Sequence, residues 1–148
     1  MLIPSGCPAA VACMSGGSTA PELSGFVKFY PANGGVLVFA NLSGLPQNEG
    51  PGIFALHIHQ GGDCSGDGFP NTDGHYNPSG APHPRHAGDL PPLFRCGGRA
   101  VLAVLTDRFQ IADILGRTVV IHSGPDDFTS QPAGNSGTKI ACGVIRPV

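Results

Sequence analysis

Short runs of β-branched and aliphatic residues, each closed off by Gly, Pro, Asn or Asp, restrict this chain to an all-β fold. They are "AAVACM" (9–14), "SGFVKFY" (24–30), "GGVLVFANL" (34–42), "GIFALHIH" (52–59), "RAVLAVL" (99–105), "RTVVIH" (117–122) and "KIACGVI" (139–145). In the second, Phe26, Lys28 and Tyr30 share one face and Val27 and Phe29 the other, the alternation of a half-buried strand. "PANGG", between the second and third runs, carries the Asn-Gly dipeptide of a tight hairpin. Only "DRFQIADILG" (107–116) reads as helical, and it is short. The 23 glycines and 15 prolines suit many turns and long ordered loops, while 41% hydrophobic residues supply a core. The 148 residues fit a single domain, 1–148.

Two stretches lack strand signals, 60–98 and 123–138. Such long irregular segments in a compact domain are functional or disordered. The first holds Cys64, His75, His83, His86 and Asp89. Strands grouped as hairpins and separated by two long loops fit a Greek-key barrel or sandwich.

Several classes of function are disfavoured. A net charge of −2 with only 12% charged residues offers no surface for a polyanion, so nucleic acid is not an expected partner. No run approaches the roughly 18 apolar residues of a membrane span, so no membrane partner is expected either. The N-terminus "MLIPSGCPAAVACM" has no basic start and carries Pro4 and Pro8, a poor signal peptide. The expected location is cytoplasmic, or exported with a signal outside this sequence.

All six histidines sit at the end of a strand run or in the first long loop. His57 and His59, two apart in a strand, turn to one face, where they can take adjacent positions on one ion. His83, His86 and Asp89 are close enough in a loop to wrap another, with His75 nearby and His122 closing "VVIH". Imidazole suits copper and zinc, and a carboxylate added to histidines is a common zinc arrangement. Two neighbouring metal groups, sharing a residue or lying close, is the favoured arrangement. A cupin-like site would also open with H-x-H, but it wants a glutamate shortly afterwards; here Gln60, Gly61, Gly62 and Asp63 follow. A blue-copper carrier needs a ligating Cys and usually an axial Met, and the two methionines are Met1 and Met14.

The segments "FALHIHQGGDC", "GHYNP", "HAGDL", "GRTVVIHSGPDD" and "GNSGTKIACGVI" resemble, in content and order, those of the copper/zinc superoxide dismutases. The similarity runs from about Ala9 to Ile145. The resemblance implies an eight-stranded Greek-key β-barrel, an immunoglobulin-like sandwich with two long functional loops. It implies that His57, His59, His75 and His122 bind copper, and that His75, His83, His86 and Asp89 bind zinc. His75 would bridge the two ions and carry a proton during turnover. Asp126 would link ligands of both metals, and Cys64 and Cys142 would form a disulfide, worth on the order of 4 kcal/mol in the chain-entropy model. The implied activity is disproportionation of superoxide anion to dioxygen and hydrogen peroxide, with copper and zinc as cofactors.

Three departures stand out. Lys139 occupies the place of an arginine in the family's eukaryotic members, where a cation would draw the anion in. The loop between Asp126 and Lys139 is shorter and lacks their charged residues. "HPRH" leaves little chain between His83 and His86, so the loop must close tightly. The alternative is a noncatalytic copper carrier of the same fold, against which the full ligand set and Lys139 argue. Of the other cysteines, Cys13 is expected in the core, and Cys7 with Cys96 is a weak second bridge. A homodimer is left open, since Arg146 and Pro147 stand where an apolar contact would be convenient.

Overall fold

The computed structural model describes residues 6–148; the part of the signal-peptide reading that falls on residues 1–5, Pro4 included, lies outside them. Nine strands form among the described residues: β1 (Ala10–Gly16), β2 (Ser24–Ala32), β3 (Gly35–Ser43), β4 (Ile53–Phe54), β5 (Leu56–His59), β6 (Leu93–Phe94), β7 (Ala100–Thr106), β8 (Thr118–His122) and β9 (Lys139–Pro147). The helical candidate supplies one turn, α1 (Ile111–Ile114). No described helix is long and apolar enough to cross a membrane.

Seven strands pair in the order β5-β8-β9-β1-β2-β3-β7, and every ladder among them is antiparallel. β2 and β3 are the hairpin that Asn-Gly promises: Ala32 faces Gly35, and Gly34 takes φ +81°. From β3 the chain crosses to β5 at the opposite edge, returns to lay β7 against β3, then crosses again to lay β8 against β5. The expected closed eight-stranded barrel is therefore seen as an open seven-stranded sheet plus a separate two-stranded ladder, β4 with β6.

The reason lies at Ala55. It leaves the ladder inside the run 52–59 by donating to the Gly124 carbonyl and accepting from the His122 amide, at 2.8 and 2.9 Å. That divides the run between two sheets.

Alternation places Val27, Phe29, Val38, Leu42, Leu56, Ile58, Val119, Ile121 and Ile145 in one core. Burying side chains of this size contributes about 1.5–3 kcal/mol each. Cys13 is corrected by the same alternation: Ala12 and Met14 point inward, which turns Cys13 to solvent. The Cys7–Cys96 bridge is not formed; both are exposed free thiols.

β5 and β8 differ from the other strands, being buried on both faces. Leu56, Ile58, Val119 and Ile121 face the core. The opposite face carries His57, His59 and Val120, and it is covered by the long loops.

Candidate metal centre

The loop 60–92 folds back over β5 by completing its ladder. Tyr76 donates to Ile58, Ile58 to Gly88, and Gly88 to Tyr76, at 2.8, 2.8 and 2.9 Å. This pairs His59 with His75 and His57 with Asp89 across the strand edge. The approach needs glycine at 88, because a Cβ there would strike the Ile58 carbonyl. On the other side β8 ends in a bulge that sets His122 opposite Lys139 of β9. Cys64 and Cys142 are disulfide-bonded with a Cα separation of 5.7 Å, and they pack with Phe69 and Val120 beneath the loop.

Two groups of four donors result, each with its ligand atoms within 4.8 Å of one another. His57, His59, His75 and His122 make the first; His75, His83, His86 and Asp89 make the second. All seven side chains are buried. His75 belongs to both groups.

Proton positions show what the groups are suited to hold. His59 Nδ1 lies 2.8 Å from the Asp73 carbonyl, and His122 Nδ1 lies 3.5 Å from the Gly137 carbonyl. A carbonyl only accepts, so each Nδ1 carries the ring proton and each Nε2 a lone pair. Burial pushes the two imidazoles down to about 2 and about 3, so both are neutral. Their Nε2 atoms nevertheless face each other at 3.2 Å. Two lone pairs at that distance call for a cation between them. Donors about 2.0–2.1 Å from a tetrahedral ion stand about 3.3 Å apart.

The other rings repeat the pattern. His57 Nε2 donates to Asp126 Oδ2 at 2.8 Å, and His83 Nε2 donates to Asp126 Oδ1 at 2.7 Å. Each ring thus turns its Nδ1 lone pair inward, where neither finds a hydrogen-bond partner; His75 Nε2 is likewise unpartnered. His83 Nδ1 does lie 3.1 Å from Asp89 Oδ2, but the two stand side by side, as co-ligands do. His86 Nδ1 is 3.2 Å from His75 Nδ1 and 3.3 Å from Asp89 Oδ2. Three orphaned buried nitrogens and a set of imidazole and carboxylate donors fit a pair of metal ions sharing His75.

Asp126 spans the two groups from outside. Burial works against its charge, but hydrogen bonds from His57, His83 and the Phe128 amide outweigh that and hold the carboxyl well below the usual range. The bridge leaves no room at Gly134, where φ is +70° and a Cβ would strike Asp126 Oδ1.

A cleft of about 380 Å³ opens beside the first group, lined by His59, His75, His122, Gly137 and Lys139 among others. The Lys139 ammonium does not hang free in it. It donates to Thr72 Oγ1 at 2.7 Å, to the Asp73 carbonyl at 3.2 Å and to the Phe69 carbonyl at 3.4 Å. Asp73 thus ties Lys139 and His59 to one oxygen. Arg117 is committed elsewhere, stacked over Tyr76 and bonded to the Asp113 and Gln60 carbonyls. Sequence reasoning missed Thr72, Arg108 and Gln131. The last two grip the backbone around His83, His86 and Asp89, and no spacing in the sequence marks them.

The neutral rings predict how the metal-free protein responds to acid. His59 and His122 protonate near 6.5 when unfolded but only near 2 and 3 when folded. Between those limits the native state binds fewer protons, so its stability falls as pH drops below 6.5, by up to about 1.4 kcal/mol per pH unit for each ring. With chelator present, the urea midpoint should fall steadily from about pH 7 to about pH 4.5. A flat profile would show that these rings are not held neutral.

Comparison with known proteins supplies four relations. A family profile described as "Copper/zinc superoxide dismutase (SODC)" matches residues 23–145. Superoxide dismutase (Cu-Zn) 2 of Aquifex aeolicus is 39% identical over 144 residues, spanning 87% of this chain and 82% of that protein. The copper chaperone for superoxide dismutase of Rattus norvegicus is 35% identical over 93% of this chain but only 52% of that protein. Among solved structures, a double mutant of a SOD-like protein from Bacillus subtilis is similar at a TM-score of 0.79 and 25% identity, over 90% of this chain and 95% of that one.

Proposed function

The chain belongs to the copper/zinc superoxide dismutase family, and from that membership we propose that it disproportionates superoxide, two anions and two protons giving dioxygen and hydrogen peroxide. The observation that carries this reading is the His75 ring shared between two buried four-donor groups. A carrier needs one site; a shared imidazole makes sense where two ions act together. His57, His59, His75 and His122 would hold copper, and His75, His83, His86 and Asp89 would hold zinc.

When bound, copper supplies a one-electron couple, and zinc, a d¹⁰ ion that does not cycle, supplies a fixed positive charge. The chain does the rest. A dication beyond each nitrogen is what allows an imidazole to give up both ring protons. His75 Nδ1 faces the second group and its unpartnered Nε2 faces the first, so Nε2 is the atom that takes up a proton and returns it to the departing peroxide. Asp126, by holding the outer nitrogens of His57 and His83, fixes the tautomer and orientation of both rings. Lys139 keeps a positive charge in the wall of the cleft, where the substrate is an anion. The finer form of the fold belongs to this reading too: β4 and β6 close the gap between β5 and β7, completing a flattened eight-stranded barrel.

The test pairs elemental analysis with a superoxide-consumption assay. About one copper and one zinc per chain, with turnover, is expected. Two zinc ions that resist copper would sink the redox reading altogether, and bound copper without turnover would favour the copper-carrier alternative, the reading to which the chaperone relative points.

A further inference from the structure

The segment 83–89 supplies three of the donors of the second group, yet it forms no strand and no helix. Its backbone polar groups must therefore find partners one at a time. Within the segment and the loop, the Arg85 amide donates to Pro82 and the Asp89 amide to His86, at 2.8 and 3.2 Å. The His86 amide donates to Asp89 Oδ2 at 3.0 Å. Gly88 pairs with the backbone of Tyr76 and Ile58, and two side chains from elsewhere in the chain serve the backbone of His83, Pro84, His86 and Asp89.

Gln131, on the loop 123–138, acts on His83 as a neighbouring strand would. The His83 amide donates to Gln131 Oε1 at 2.8 Å, and Gln131 Nε2 donates to the His83 carbonyl at 2.7 Å. Arg108, on the turn after β7, reaches the segment from another direction. Its Nη1 donates to the Pro84, His86 and Asp89 carbonyls at 2.9, 3.3 and 3.5 Å. Neither residue offers a donor to either metal group.

We propose that Arg108 and Gln131 are positioning residues of the second metal group, a bracket that presets the backbone of 83–89 so that three donors already converge when the ion arrives. The inference rests on the dismutase reading for the identity of that ion, zinc. Ordering a loop costs entropy at the moment of binding unless it has been spent in folding. The donors of this segment stand 2.7–3.3 Å from their neighbours, the spacing of co-ligands on one ion. Partners that orient ligands are worth about 10–100-fold in metal affinity. The bracket acts through backbone, one bond further out, and the expected loss is about 10-fold for either alanine variant.

The test is zinc affinity, measured by competition with a chromophoric chelator on the disulfide-intact full chain, together with the visible spectrum of cobalt(II) at the same group. Arg108→Ala and Gln131→Ala should each weaken zinc by about 10-fold and alter the cobalt bands, with copper affinity within about twofold of wild type. Gln131→Glu separates bracketing from space filling. Its shape is the same, but its second oxygen would face the His83 carbonyl, so it should bind zinc no better than the alanine variant. Zinc affinity in Gln131→Glu equal to wild type, or equal weakening of copper and zinc in the alanine variants, would overturn the bracket. Wild type that binds no zinc would overturn the bracket and the dismutase reading together; wild type that binds it as tightly as both alanine variants would overturn the bracket alone.

Discussion

His122→Ala is expected to reduce superoxide consumption to the uncatalysed background while zinc remains bound at one per chain. His122 is a member of the first group only. Its Nε2 faces that of His59 at 3.2 Å, and nothing connects it to Asp89, His83 or His86. The substitution removes one of four donors from the group that must hold a redox ion, and no side chain beside it can substitute. Two effects on the metal-free protein oppose one another. Truncating a buried ring leaves a void and costs stability, but it also removes one of two lone pairs forced together. The metal-free melting temperature should therefore change less than that of the copper-loaded protein, which loses the stabilisation that binding confers on the native state. Asp89→Ala is the companion measurement. It should weaken zinc first, because Asp89 touches His75, His83 and His86. Equal loss of both metals in both variants would mean that the donors do not divide as assigned.

The seven donors were legible in the sequence as candidates because few side chains bind metals and the six histidines and Asp89 fall in three local clusters. His122 was joined to His57 and His59 only by the family resemblance. H-x-H in a strand fixes the face of His57 and His59 through the pleat alone. The grouping of His83, His86 and Asp89 follows from contiguity. That His75 joins both groups came from the family resemblance, not from spacing; in the structure it follows from Tyr76 completing the ladder beside Ile58. The strands were legible for a similar reason, since alternation is local. What escaped was whatever depends on distant backbone. β6 is two residues long, too short for any period to show. The division of "GIFALHIH" at Ala55 is decided by the loop after β8. A place in a strand run suggested a core residue at Cys13, but register with Ala12 and Met14 turns it outward. Gln131 and Arg108 grip carbonyls and amides, which every residue possesses, so no motif could announce them.

Lys139→Glu is expected to slow the second-order reaction with superoxide by one to two powers of ten at low ionic strength. The charge stands in the wall of the cleft beside His59 and His122, and two unit charges about 6 Å apart interact by roughly 3 kcal/mol at an effective dielectric near 20. The structure adds a complication that the sequence did not contain. The ammonium is tethered to Thr72 Oγ1 and to the Phe69 and Asp73 carbonyls, and the Asp73 carbonyl also accepts from His59. A carboxylate there repels two carbonyl oxygens, so the loop could shift and carry His59 with it. Charge and tether are separable. Lys139→Gln keeps a donor for Thr72 without the charge, and Lys139→Arg keeps the charge with a planar fork in place of a compact point. Salt separates them again, because screening weakens a field and leaves a displaced ligand displaced. If the field governs, added salt slows wild type and the arginine variant, leaves the glutamine variant nearly unaffected, and speeds the glutamate variant. If the tether governs, the glutamate variant stays slow at every ionic strength, and its copper spectrum changes because His59 has moved. A glutamate variant as fast as wild type at low salt would remove Lys139 from the mechanism. Arg85, exposed on the "HPRH" turn, would then be the cation to examine, since the guanidinium of Arg117 is already spent on Tyr76, Asp113 and Gln60.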